Sequence, residues 1–239
     1  MGRRSRTRSW TCTSPRSPSP GSPQVAAVTA GLLFIGVQVN HPHLDAQSIT
    51  TTEVVIRSSL KVLMVALALA GITGMYLRQV KEIGVLGLVG YLVFAAGYLL
   101  LLGTAFAGAF VLPAIADTNP GYVNDAIAVA LGRTPDGDIG LLATVTALQG
   151  VGYLAGGLLF GIALYRARVL VRWASALLAV SGLVTVALSV MPDDLYRFLA
   201  WPNGIALVAL GYSLWRSTRT RAPAFDATPA PQLTTAGVE

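Results

Sequence analysis

Apolar residues in this chain come in long blocks separated by short polar punctuation. The longest uncharged run, residues 83–116, is 34 residues between Glu82 and Asp117. As a helix it would measure roughly 51 Å, against about 30 Å of hydrocarbon in a bilayer. It can cross with slack at both ends. Gly84, Gly87 and Gly90 loosen its start, and Pro113 opposes regular helix as far as Asp117, so the expected span is about 85–110.

Five further blocks predict helices at about 24–39, 62–77, 139–165, 173–190 and 198–215. The first is the weakest candidate on length and stops at Asn40-His41-Pro42-His43, where Asn and Pro favour a helix exit. Thr52-Glu53 reads as the start of the second helix, with Glu53, Arg57 and Lys61 stacked four residues apart at the interface. Pro202 falls in the first turn of the last block, where a missing N–H is tolerated. Between the third and fourth blocks, Pro120, Gly121, Gly132, Pro135 and Gly137 punctuate residues 117–138. The apolar segment 122–131 inside that loop is too short to cross and predicts a short helix lying on the surface.

Composition sharpens this into a solvent assignment. The chain is 54% hydrophobic and 12% charged, with mean hydropathy +0.63. A water-soluble domain carries about 25% charged residues to wet its surface. The expected fold is therefore an all-α polytopic membrane bundle of six transmembrane helices over residues 24–216. It is flanked by a basic, disordered arm (1–23) and a disordered, Ala/Thr/Pro-rich tail (217–239). A basic start ahead of an apolar run also fits a secretory signal, but no small-x-small cleavage site follows closely.

Charge then orients the bundle. Six crossings place Arg3, Arg4, Arg6, Arg8, Arg16, Arg78, Lys81, Arg166, Arg168, Arg172, Arg216, Arg219 and Arg221 on one side. Only Arg57, Lys61, Arg133 and Arg197 fall on the other. The positive-inside rule predicts that both termini are cytoplasmic in a bacterial plasma membrane. The net charge of +6 is spread over helix ends and tails rather than a folded face, which argues against a nucleic-acid partner. Cys12 is the one cysteine and forms no intramolecular disulfide.

Few residues can carry chemistry. Gln38, Gln149 and Asn203 are amides inside spans; in lipid they must find partners, so they are expected to face the interior, hydrogen-bonding across helices or contacting a ligand. His41 and His43 flank Pro42 with Asp45 nearby, a candidate divalent-metal pair, although no further ligand spacing accompanies them. Gly152 and Gly156, with Gly157 and Gly161, repeat at the spacing that lets helices approach. They predict packing seams within the bundle, with a homo-oligomer or membrane partner as the alternative use. Gly71-Ile72-Thr73 with Tyr76-Leu77-Arg78 echoes Gly161-Ile162-Ala163 with Tyr165-Arg166, either a duplicated hairpin or chance among similar spans.

His-Pro after the first span, Tyr-Leu-Arg-Gln-Val and Gly-Val-Leu-Gly-Leu-Val-Gly-Tyr between Tyr76 and Tyr91, Val-Leu-Pro ending at Pro113, and Arg-Trp-Ala from Arg172 together resemble small multi-pass membrane proteins of actinobacteria. The resemblance covers about residues 25–216. It implies location only and carries over no catalytic residue and no cofactor. The expected role is a non-enzymatic membrane component, an accessory or scaffold subunit. The alternatives are a small transporter or channel using the interior amides, and a metal-dependent enzyme at His41 and His43.

Overall fold

In the computed structural model, which describes residues 22–39, 44–188 and 201–219, every regular element is helical. The helices are α1 (Pro23–Gly36), α2 (Thr52–Gln79), α3 (Gly84–Phe106), α4 (Leu112–Ile115), α5 (Pro120–Ala130), α6 (Leu141–Ala167), α7 (Arg172–Leu188) and α8 (Trp201–Arg219). A π-turn, Ala107–Val111, carries α3 into α4, and a 3-10 turn, Ser48–Thr50, precedes α2. Three runs are long and apolar enough to cross a membrane: Thr52–Gln79, Gly84–Ile115 and Leu141–Ala167. α1 is apolar, but its 14 residues reach only about 21 Å, short of the roughly 30 Å of hydrocarbon. α7 and α8 have 17 and 19 residues, and α8 ends in Arg216 and Arg219.

Six of these helices close into a ring: α1 on α2, α2 on α3, α3 on α6, α6 on α7, α7 on α8, and α8 back on α1. Neighbours run antiparallel. Pro23 and Ala27 of α1 meet Gly74 and Gly71 of α2, while Gly31 meets Gly204 and Gln24 meets Gly211 of α8. In the same sense Gly90 and Gly97 of α3 meet Phe160 and Tyr153 of α6.

Small residues make this closeness possible. A Cβ on Gly90 would lie 2.6 Å from the Phe160 nitrogen, one on Gly97 2.7 Å from that of Tyr153, and one on Gly161 2.5 Å from that of Ala179. These helices touch backbone to backbone, as small residues allow in lipid. Gly156 likewise seats Phe94, and Gly152, Gly157 and Gly161 also face neighbouring helices of the same chain. Gly84, with φ of +64°, turns the chain into α3. Gly87 and Gly90 are different: they lie within regular helix, one covered by the Ile83 side chain and one by α6, rather than loosening the start.

Aromatic rings fill the interior between these seams. Tyr76 stacks on Tyr91 at 4.4 Å, and Phe94 meets Tyr98 edge-on at 4.9 Å, with Phe160 and Tyr153 alongside. The outer surface is apolar too, with Val85, Leu99 and Val151 exposed by 76%, 56% and 62%. Apolar area on that scale marks a surface that meets something other than water.

Pro113 explains the π-turn. It lacks the N–H that a helix would direct at Ala109, and its ring crowds that carbonyl. The backbone widens just upstream, and the Leu112 N–H reaches back five residues to the Ala107 carbonyl. Helix then resumes to Ile115, beyond the point where the sequence suggests it stops.

The two ends of the ring differ in charge. Arg78, Lys81, Arg166, Arg168, Arg172, Arg216 and Arg219 collect at the end formed by the α2–α3 and α6–α7 turns and the close of α8. Arg78 donates to the Ser217 carbonyl at 3.2 Å, while Arg172 and Arg219 lie 4.2 Å over Tyr165 and 4.0 Å over Trp215. At the other end Arg57 pairs with Glu53 at 2.9 Å, as their spacing suggests, and also donates to the Val39 carbonyl at 2.9 Å. That second bond satisfies a carbonyl left open just past α1.

Candidate functional site

At the cation-poor end, α2, α3, the π-turn and α6 part around a cavity of about 370 Å³. It is covered by a cap made from α5 and the segment 44–50. Asn119 opens α5 by accepting the Tyr122 N–H at 3.3 Å. Gly132, at φ +76°, closes it: the Gly132 N–H bonds the Val129 carbonyl at 3.0 Å and the Arg133 N–H bonds the Ala128 carbonyl at 2.8 Å. This paired ending needs the left-handed backbone that glycine adopts without strain. Asp125 accepts the N–H groups of Asp136 and Gly137 at 2.9 and 3.1 Å, folding the following loop back onto α5.

The 44–50 segment is held in the same way. Asp45 accepts the N–H groups of Gln47 and Ser48 at 3.0 and 2.7 Å, and the Ala46 N–H donates to Asn124 of α5 at 2.8 Å. Between the two pieces lies a separate apolar cluster of Ala46, Ile49, Val54, Leu112, Ala116, Val123, Ala126 and Ile127. The short apolar segment expected to lie on a surface is thus a helix packed over the site.

The cavity is amphipathic. Met64, Val65, Leu101, Leu112 and Leu142 supply apolar wall; Gln38, Ser58, Thr104, Thr146 and Gln149 supply polar wall. Thr104 donates to Gln149 Oε1 at 2.6 Å, tying α3 to α6, and also to the Leu101 carbonyl at 3.2 Å. Two cations, the half-buried Lys61 and the exposed Arg133, border the same space, and among the described residues no carboxylate lines it.

Of the amides expected inside, Gln38 and Gln149 meet at this cavity, while Asn203 does not. Asn203 is buried in α8, where it accepts from Ser181 of α7 at 3.3 Å beside Tyr98, whose ring lies 5.5 Å from that of Tyr153. Tyr98, Tyr153, Ser181 and Asn203 gather side chains of α3, α6, α7 and α8 into a polar knot between the cavity and the cation-rich end, in which the Tyr98 hydroxyl and the Asn203 Nδ2 have no hydrogen-bond partner among the described residues. His41 and His43 lie outside the described residues, as does Arg197. Among the described residues, no group of three or more His, Cys, Asp or Glu side chains converges.

Sequence reasoning missed Lys61 and Arg133. The four-residue spacing puts Lys61 in an interfacial stack, whereas the side chain lies on the cavity wall, two turns past Glu53. The available signal was a lysine carried well inside a helix that is otherwise apolar from there on. For Arg133 it was the glycine directly before it, which fixes where the next residue leaves α5. No protein family, curated protein or solved structure matches this chain.

Proposed function

We propose that this is a non-enzymatic integral protein of a bacterial plasma membrane that binds a small amphiphilic molecule in the capped cavity. The cavity shared by Gln38, Gln149, Lys61 and Arg133 carries this reading: it combines apolar wall with a few convergent polar groups, as small-molecule sites do. Six crossings are supported by the antiparallel ring of six helices. Two cytoplasmic termini are supported by the cations gathered at one end, and the bacterial plasma membrane by the actinobacterial resemblance.

The polar knot beneath the cavity bears on transport. In this conformation the site is backed by packed aromatic rings, so carriage across the bilayer requires Tyr98 and Tyr153 to move apart. A second reading, an accessory or scaffold subunit, is favoured by that same close-packed half.

A thermal-shift screen of the purified protein in neutral-lipid nanodiscs separates the two readings. Binding predicts that single-tailed amphiphiles of modest size raise the melting temperature. It also predicts that Thr146→Phe, which fills cavity space, removes the shift. A flat response of the folded protein across the panel would favour the scaffold.

A further inference from the structure

We propose that the ligand of the cavity is a single-tailed amphiphile with an uncharged head, whose ester or amide carbonyl oxygen accepts hydrogen bonds from the Gln149 side chain. This rests on the cavity being a ligand site.

The Gln149 amide is oriented from one side. Its 2.6 Å contact with the Thr104 hydroxyl falls in the range of about 2.5–3.0 Å for O–H···O bonds and below the roughly 2.7–3.2 Å of N–H···O bonds. Thr104 therefore meets the amide oxygen, and the amide nitrogen is turned elsewhere. Among the described residues no acceptor takes up the two N–H groups on that nitrogen. Gln149 lies about two turns into α6, roughly 12 Å from its start at Leu141. At membrane depth a donor without a partner is costly. Since Gln149 lines the cavity, a ligand there supplies the acceptor. Gln38, just past the end of α1, lines the same cavity and makes no hydrogen bond to a described residue, so it offers a second amide to the head.

The cations at the border do not set the head group. Lys61 and Arg133 both already interact with other groups of the protein, and Arg133 is exposed. A carboxylate head beside Gln149 would leave water without a new cation to meet it, at a large desolvation cost. A neutral carbonyl oxygen has two lone pairs for the same N–H groups and a far smaller cost of leaving water.

Away from the amides the walls are Met64, Leu101, Ile127 and Leu142. Such a wall accepts a hydrocarbon tail and gives it no hydrogen bonds. A volume of about 370 Å³ lies near the lower end of the roughly 300–1,000 Å³ of small-molecule sites, which suits one medium-length tail and excludes a whole two-tailed phospholipid.

The test uses the full-length protein in neutral-lipid nanodiscs with four probes of similar tail: methyl decanoate, N-methyldecanamide, decanoate and undecane. The expected result is a larger rise in melting temperature with the ester or the amide than with decanoate or undecane, and whichever carbonyl probe gives the larger rise identifies the head. Thr104→Val/Gln149→Met removes both polar groups and leaves neither orphaned. In that protein the affinity for the better carbonyl probe should fall by at least about threefold, the loss of a neutral hydrogen bond, while the undecane response stays. The infrared carbonyl band of isotope-labelled methyl decanoate should shift to lower frequency on binding the parent and remain unshifted with the variant.

Equal responses to the carbonyl probes and undecane, all removed by Thr146→Phe, would overturn the carbonyl head and leave the ligand site standing. A larger response to decanoate than to the ester or amide would overturn the uncharged head, and a carbonyl advantage surviving Thr104→Val/Gln149→Met would overturn the role of Gln149. No response to any probe, with Thr146→Phe folded and indistinguishable from the parent, would overturn the ligand site itself. If the double variant fails to fold, the infrared band of the ester bound to the parent decides, and an unshifted band would refute the proposal.

Discussion

The Thr104 hydroxyl and the Gln149 amide show what lipid demands of a polar side chain. An amide in hydrocarbon has no water to fall back on, so its sequence position already implied an inward direction and a partner on another helix. The partner itself was not legible, because Thr104 and Gln149 are 45 residues apart and no local pattern links them. Hydrogen bonds of this kind contribute about 0.6 kcal/mol on average and up to about 1.7 kcal/mol. A double-mutant cycle of Thr104→Val and Gln149→Leu, read by equilibrium unfolding in mixed micelles, should give coupling in that range; a value near zero would separate the two residues energetically. Gly156 belongs to the same scale. Its α-carbon faces Phe94, so Gly156→Leu should destabilise the protein by about 2 kcal/mol or more through overpacking of the α3–α6 contact. The same unfolding measurement checks it, and Gly150→Leu, where a Cβ meets open space, is the control expected to change little.

Helices were the most legible elements, because the length of an apolar run fixes whether it can cross, and Thr52–Gln79, Gly84–Ile115 and Leu141–Ala167 follow directly. The cap was not legible. α5 is too short to declare its role, and its partner, the 44–50 segment, precedes it by about eighty residues and is fixed through Asn124. Two predictions belong to these elements. Pro113→Ala restores the missing N–H, so the π-turn should tighten towards regular α-helix and redirect Ala107 and Gly108, which line the cavity. Ligand-induced stabilisation should fall while the melting temperature of the free protein holds or rises, as a thermal shift would show. Gly132→Ala places a methyl group at φ +76°, which should cost about 1 kcal/mol or somewhat more and fray the end of α5. Hydrogen exchange at Leu131 and Arg133 should quicken, with exchange in α6 unchanged.

At the scale of the molecule, alternating up and down helices bring seven cations of the described residues to one end of the ring. The proposed threading is checked by single cysteines in a Cys12→Ser background. Thr134→Cys should react with an impermeant maleimide added to intact cells, and Lys81→Cys should react only after permeabilisation; labelling of both in intact cells would contradict it. Which helices sit side by side was beyond the sequence, since glycine spacing announces a close approach without naming the neighbour. Gly31 and Gly204 are the clearest instance: they lie at opposite ends of the chain and share one contact. That contact bears on biogenesis. α1 leaves the ribosome long before α8, its neighbour along much of its length, so until translation is complete this short helix rests on α2 alone. Expression of a chain stopped after α7 should leave α1 prone to slip out of the membrane, and supplying α8 as a separate polypeptide should hold it there.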